Sequence, residues 1–98
     1  MITFLRTHEF DSWLKALRDP VGKARIIARI RSAEAGNFGD CASVGDGVSE
    51  MRIHYGPGYR VYYCREGDVV YLLLCGGDKS TQKRDIKNAK LLHKTLKD

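Results

Sequence analysis

Between Glu50 and Tyr63 the chain interleaves cations, an imidazole and tyrosines with apolar residues. Met51-Arg52-Ile53-His54-Tyr55 comes first, then Gly56-Pro57-Gly58, then Tyr59-Arg60-Val61-Tyr62-Tyr63. Alternation with period two marks a strand, whose successive side chains leave on opposite faces. Two short strands joined by a tight turn put Met51, Ile53, Tyr55, Val61 and Tyr63 on one side. Arg52, His54, Arg60 and Tyr62 then gather on the other. A guanidinium presents phosphate with a planar fork of donors and keeps its charge. An imidazole with an ordinary pKa of about 6.5 gives or takes a proton near neutrality. Such a set suits a phosphodiester. The bland alternative is that Arg52 and Arg60 form surface ion pairs with Glu50 or Glu66 and that His54 is merely exposed. Ion pairs of that kind contribute little stability.

The elements that must position this hairpin follow from periodicity. Ile2 to Arg6 reads as a strand, and Thr7 can cap a helix on which Phe10, Trp13, Leu14 and Leu17 recur at helical spacing. Asp19 and Pro20 stop that helix and start another, as N-cap and N1. Ala24, Ile26, Ile27 and Ile30 supply the second helix's apolar stripe, and Lys23, Arg25, Arg29 and Arg31 decorate its remaining surface. Gly36-Asn37 ends it. A short strand near Cys41 to Val44 precedes the hairpin. Val69 to Cys75 is apolar throughout, which fits a strand covered on both faces. Gly76-Gly77-Asp78-Lys79 reads as a loop, and Ser80 can cap a last helix. That helix carries Ile86, Ala89, Leu92 and Leu96 on its apolar side and Lys83, Arg84, Lys87, Lys90, Lys94 and Lys97 elsewhere. One strand, two helices in a hairpin, a run of strands and a helix make an α+β domain spanning 1–98.

Composition sets the bounds. The chain has 98 residues, 17 Lys and Arg against 12 Asp and Glu, and a net charge of +5. That balance favours anionic partners without choosing among them. Cys41, Cys64 and Cys75 form no CxxC pair, so they read as small buried thiols rather than disulfides or a zinc site. No metal or other cofactor is expected. Met1 to Arg6 lacks the pattern of a signal peptide, and no apolar run nears the ~20 residues that cross a bilayer. A cytoplasmic protein with no membrane partner is the expectation. Neither Gly-rich stretch matches a P-loop or a dinucleotide fingerprint.

Four segments carry a resemblance. Gly36-Asn37-Phe38-Gly39-Asp40, Val44 to Ile53, Gly56-Pro57-Gly58-Tyr59-Arg60-Val61-Tyr62 and Leu73 to Gln82 resemble the addiction-module killer proteins. These are toxins of the RelE/ParE superfamily, HigB-like branch. The resemblance implies an N-terminal helical hairpin packed on a small curved, mostly antiparallel sheet, with a C-terminal helix. It also implies a toxin-antitoxin module, with a helix-turn-helix antitoxin as cognate partner and a possible hetero-oligomer between them. The best-known members cut mRNA on the ribosome. The ParE branch inhibits DNA gyrase on the same fold without catalysis, and an inactive antitoxin-binding module is a further alternative.

Metal-independent cleavage needs a 2′-hydroxyl to attack the adjacent phosphorus while the 5′-oxygen leaves. One group takes a proton, one gives a proton, and one stabilises charge on the phosphorane. Arg60 fits the last role and sits where similar toxins carry a strand arginine. His54 is the titratable candidate, and Lys79 is placed like a basic residue that other members use on phosphate. Arg52, Tyr62, Lys83 and Arg84 are the expected RNA contacts. Several ribosome-dependent members carry a tyrosine where this chain reads Gln82-Lys83-Arg84-Asp85-Ile86. Either His54, Asp85 or Tyr62 moves the proton here, or the chain does not cut RNA this way.

Overall fold

Thr7 ends the first strand and opens the first helix with one hydroxyl. Its Oγ1 accepts the Phe10 amide at 3.0 Å and donates to the Leu74 carbonyl at 2.6 Å, so the cap also pins the helix to the sheet. The computed structural model describes residues 1–97, and its elements follow in order. Strand β1 (Thr3–Arg6) leads into α1 (His8–Ala16) and α2 (Pro20–Glu34). Then come β2 (Cys41–Gly45), β3 (Val48–Ile53), β4 (Tyr59–Arg65) and β5 (Val70–Asp78). A 3-10 turn (Lys79–Thr81) delivers the chain into α3 (Gln82–Lys97). Asp19 caps α2 as its sequence position requires, accepting the Gly22 amide at 3.0 Å.

The sheet order is β1-β5-β4-β3-β2, with β1 parallel to β5 and every other pair antiparallel. This is the expected α+β architecture. The helices α1 and α2 cover one face and α3 covers the other. Met51, Ile53, Tyr59, Val61 and Tyr63 point toward α1 and α2 and close on Phe10, Leu14 and Ile26. Val48, Tyr62, Cys64 and Leu74 point toward α3 and close on Ala89. Adjacent residues Leu73 and Leu74 thus enter different cores, as a strand covered on both faces demands. No helix among the described residues is long and apolar enough to cross a membrane.

The structure corrects several expectations. The face read as open and cationic is covered by α3, and Tyr62 within it has no exposed surface. Strand β5 does not stop at Cys75 but runs through Gly76 and Gly77 to Asp78. Small residues are needed there: a side chain at Gly77 would collide with the Asp85 carboxylate from α3. Asp78, not Ser80, makes the cap, accepting the Ser80 amide at 2.8 Å. The buried stripe of α3 is Asp85, Ala89 and His93, with Ile86 and Leu92 beside it, while Leu96 stays exposed. On α2 the buried positions are Gly22, Ile26 and Ala33, with Ile27 and Ile30 at the margin and Ala24 outside.

Candidate functional site

Strands β3 and β4 pair Glu50 opposite Tyr62 and Arg52 opposite Arg60. Like charges facing each other across a ladder repel, and the neighbouring carboxylate of Glu50 offsets that. It is 1% exposed. Its Oε1 accepts Arg52 Nε at 3.0 Å; its Oε2 accepts the Tyr62 hydroxyl at 3.0 Å and Gln82 Nε2 at 2.8 Å. Arg60 Nε lies 3.9 Å from the same Oε2. Burial pushes the Glu50 carboxyl up, but the Gln82, Arg52 and Tyr62 donors and the Arg60 charge outweigh it and hold the pKa below the ordinary value. Burial, and then the bond to Glu50, pushes the Tyr62 phenol far above its ordinary value.

Arg60 does not reach out as the sequence suggested. Its side chain is 11% exposed, and Nη1 donates to the Gly58 carbonyl at 2.6 Å. Nε is buried without a hydrogen-bond partner among the described residues. Gly58 (φ 78) is the pivot of this arrangement. A side chain there would press on Arg60 Nη1 from one side and meet Lys79 Cβ from the other. The Lys79 amide donates to the Pro57 carbonyl at 3.4 Å, tying the turn after β5 to the β3–β4 turn. The far side of that turn is anchored by Tyr59, whose hydroxyl donates to Asp19 Oδ2 at 2.7 Å. Burial, followed by that bond, raises Tyr59 to about 12.

His54 lies just past the end of β3, with its side chain 72% exposed, and contacts Asp40 Oδ2 at 2.6 Å. Asp40 Oδ1 also meets Arg52 Nη1 at 3.4 Å. The His54 bond, the largest cause, and the Arg52 charge hold the Asp40 carboxyl low. His54, Asp40, Arg52, Glu50 and Arg60 thus form one chain of alternating polarity, open to solvent at His54 and sealed at Glu50. Of the expected residues, Arg60 and Lys79 meet at the turn, Arg52 lies opposite Arg60 with its guanidinium on Glu50 and Asp40, and His54 joins only through Asp40. Tyr62 is beneath them, with no face left for a base to stack on. Lys83 and Arg84 are exposed on the first turn of α3. Asp85 is buried, accepting the Thr81 hydroxyl at 2.5 Å.

Sequence reasoning missed Gln82 and Arg29, and it put the pairing of Glu50 with Arg52 and Arg60 at the surface, whereas Glu50 is buried. Arg29 reads as decoration on α2, yet it donates to the Phe38 carbonyl at 2.9 Å and to the Arg52 carbonyl, holding the Asp40 loop on β3. A signal for Glu50 existed. Val48 and Cys64 on the same face, and an apolar stripe on α3 in need of a surface, imply that this face is covered.

The comparisons bear on this arrangement. The family described as Phage derived protein Gp49-like (DUF891) matches residues 12–97, a span that holds the whole charged chain. The chain belongs to the Gp49-like family. It is a RelE/toxin-like family. The chain is also similar to a protein of Haemophilus influenzae (strain ATCC 51907 / DSM 11121 / KW20 / Rd) described as "Uncharacterized protein". The two are 56% identical over 90 residues, covering 92% of this chain and 91% of the relative. Within this Gp49-like protein, Arg52 and Arg60 face a single buried carboxylate, Glu50, and Arg60 also reaches the Gly58 carbonyl.

Proposed function

We propose that this Gp49-like protein is the toxin of a type II toxin-antitoxin module and cleaves mRNA on the ribosome, in the manner of the HigB-like branch. The observation that carries the reading is the packing of Arg60 Nη1 and the Lys79 backbone against the Gly58 turn, with Arg52 opposite Arg60 across the two strands. Arg60 faces Glu50, but the pairing is loose. Glu50 already has three donors, and Arg60 Nε makes no formed bond at 3.9 Å. Moving the guanidinium outward therefore breaks no hydrogen bond to the carboxylate. A phosphate accepts two short charge-assisted bonds from it through two of its oxygens instead.

In this mechanism Arg60 stabilises the phosphorane, Lys79 adds charge from the adjoining turn, and Arg52 holds the backbone. His54, poised by Asp40 at the open end of the network, takes the 2′-hydroxyl proton, and solvent water protonates the departing 5′-oxygen. Lys83 and Arg84 continue the basic surface along α3 toward ribosomal RNA. A helix-turn-helix antitoxin is the cognate partner in the cytoplasm. Mapping RNA 5′ ends after induction in a bacterial host tests the proposal. Discrete cuts inside translated codons are expected, and Arg60→Ala should keep the fold while lowering cutting about a hundredfold.

One observation favours a rival. Tyr62 is buried and His54 stands at the edge of the network, so among the described residues neither offers Arg60 a free phenol or imidazole alongside it. A non-catalytic, ParE-like inhibitor of gyrase needs neither. That reading predicts intact transcripts and inhibited supercoiling after induction.

A further inference from the structure

The α3 stripe places a histidine where its spacing calls for an apolar residue. His93 is 7% exposed, and its Nδ1 is buried with no hydrogen-bond partner among the described residues. It packs against the far end of β4. There Cys64 is 1% exposed, and its thiol donates to Glu66 Oε1 at 3.3 Å. One ligand atom from each of Cys64, Glu66 and His93 lies within 4.8 Å of the others. We propose that these three residues bind a divalent cation of the zinc class.

The chemistry and the spacing agree. A thiolate and an imidazole select zinc over magnesium or calcium, and the carboxylate completes a sulfur, nitrogen and oxygen set. Three protein ligands leave a fourth tetrahedral position for water. In a tetrahedral site, bonds of about 2.3 Å to sulfur and 2.1 Å to oxygen set those two atoms about 3.6 Å apart, near the separation seen here. Binding exchanges the Cys64 thiol proton for the cation and releases that proton to solvent. Lys90, Lys94 and Lys97 border the same cleft as His93. The thiolate and carboxylate neutralise the divalent cation, so the occupied site carries no net charge beside these lysines.

The site is separate from the Gly58 turn. Cys64 and Arg60 share a face of β4 but stand about 13 Å apart along it, at the usual rise per residue. The cation would fasten the C-terminal half of α3 to β4 without touching the phosphate chemistry, so this inference stands apart from the proposed cleavage. The sequence hid it because the third ligand comes from another element, with no metal-binding spacing to signal it.

Full-length protein stripped with a chelator and titrated with Zn²⁺, or with Co²⁺ as a spectroscopic probe, tests the site. One equivalent should bind, a thiolate-to-cobalt charge-transfer band should appear, and the melting temperature should rise with free Zn²⁺. Glu66→Gln changes an exposed side chain and spares the fold; it should weaken binding more than about tenfold, since losing even an outer-shell partner costs that much. Cys64→Ser should abolish the band with the far-UV circular dichroism retained. A band that survives Cys64→Ser, an affinity unchanged in Glu66→Gln, or no binding at all would overturn the site. If Cys64→Ser does not fold, Glu66→Gln decides.

Discussion

On β3 and β4, alternate residues face α1 and α2 or face α3, and the two faces of the same strands are held by different forces. Toward the first pair of helices the contacts are dry. Phe4, Phe38, Tyr63 and Tyr71 form an aromatic cluster with ring centroids as near as 5.3 Å, beside Phe10 and Ile26, which are wholly buried. Toward α3 the same strands bury Glu50, Tyr62 and much of Arg60. The two buried polar side-chain atoms left without partners among the described residues, Arg60 Nε and His93 Nδ1, both lie on this second side. One face is finished as a core, and the other retains groups that a ligand can still satisfy. Stability should concentrate on the first face and function on the second.

The largest effect that tests this division is Phe10→Ala. Removing a fully buried ring leaves a cavity and should cost about 3–5 kcal/mol, a large part of the 5–15 kcal/mol a domain commonly has. Urea unfolding followed by circular dichroism reads it. The comparison breaks if Phe10→Ala costs less than the changes on the α3 face described next.

Glu50→Ala comes second. It strips Arg52, Tyr62 and Gln82 of their shared acceptor and leaves Arg60 without a counter-charge, while Arg52 keeps only Asp40. Removing one partner from a buried charged network costs about 3 kcal/mol, and Glu50→Gln should cost less because it keeps one acceptor oxygen. The same substitutions sharpen the division functionally: with Glu50 gone, Arg60 is freer to turn outward. RNA affinity of any folded Glu50→Gln protein should rise, read by filter binding at fixed salt.

How far these features could be read from the chain depends on how local they are. Thr7 and Asp19 as caps, and Phe10, Trp13 and Leu14 as a stripe, need only a turn or two of helix, and all appear as expected. Met51, Ile53, Val61 and Tyr63 follow from period two, and they too lie in the core. The opposite residues were misplaced because a polar residue on an alternating strand is assigned to solvent unless something covers it. That cover, α3, arrives from the far end of the chain. The continuous apolar run before Gly76 already required a second covering layer, so the open cationic face and the doubly covered strand were incompatible readings. Arg29 and His93 illustrate the same limit. A cation on a helix and a histidine in an apolar stripe take their roles from partners that helical spacing does not name.

Acid titration gives a smaller and directional effect. Glu50 has a lowered pKa in the folded chain, so its contribution is fully present above the unfolded value of about 4.3. It is lost as pH falls through the lower folded value. Asp40 and Asp19, also lowered, add to the loss below about 3.9. The contribution of these three carboxylates should therefore be constant from neutrality to about pH 5 and fall below that. Glu50→Gln should flatten the upper part of the fall and leave the lower part, which belongs to the two aspartates. An unchanged slope in Glu50→Gln would mean that its carboxylate is not the group held low on the α3 face.

His54→Ala should have the smallest effect on stability. The imidazole is 72% exposed and bonds one partner, Asp40, which keeps its contact with Arg52 when the ring is removed. The urea midpoint should not move. Under the proposed cleavage, however, His54 is the imidazole at the open end of the network and the proposed proton carrier, and general acid-base groups contribute about a hundredfold or more. The substitution therefore separates the two kinds of order in one measurement. A large fall in cutting with an unmoved midpoint places chemistry at the solvent end of the His54–Asp40–Arg52–Glu50 chain. Unchanged cutting removes His54 from the mechanism and leaves Asp85, Tyr62 or a group outside this chain to move the proton beside Arg60 and Lys79.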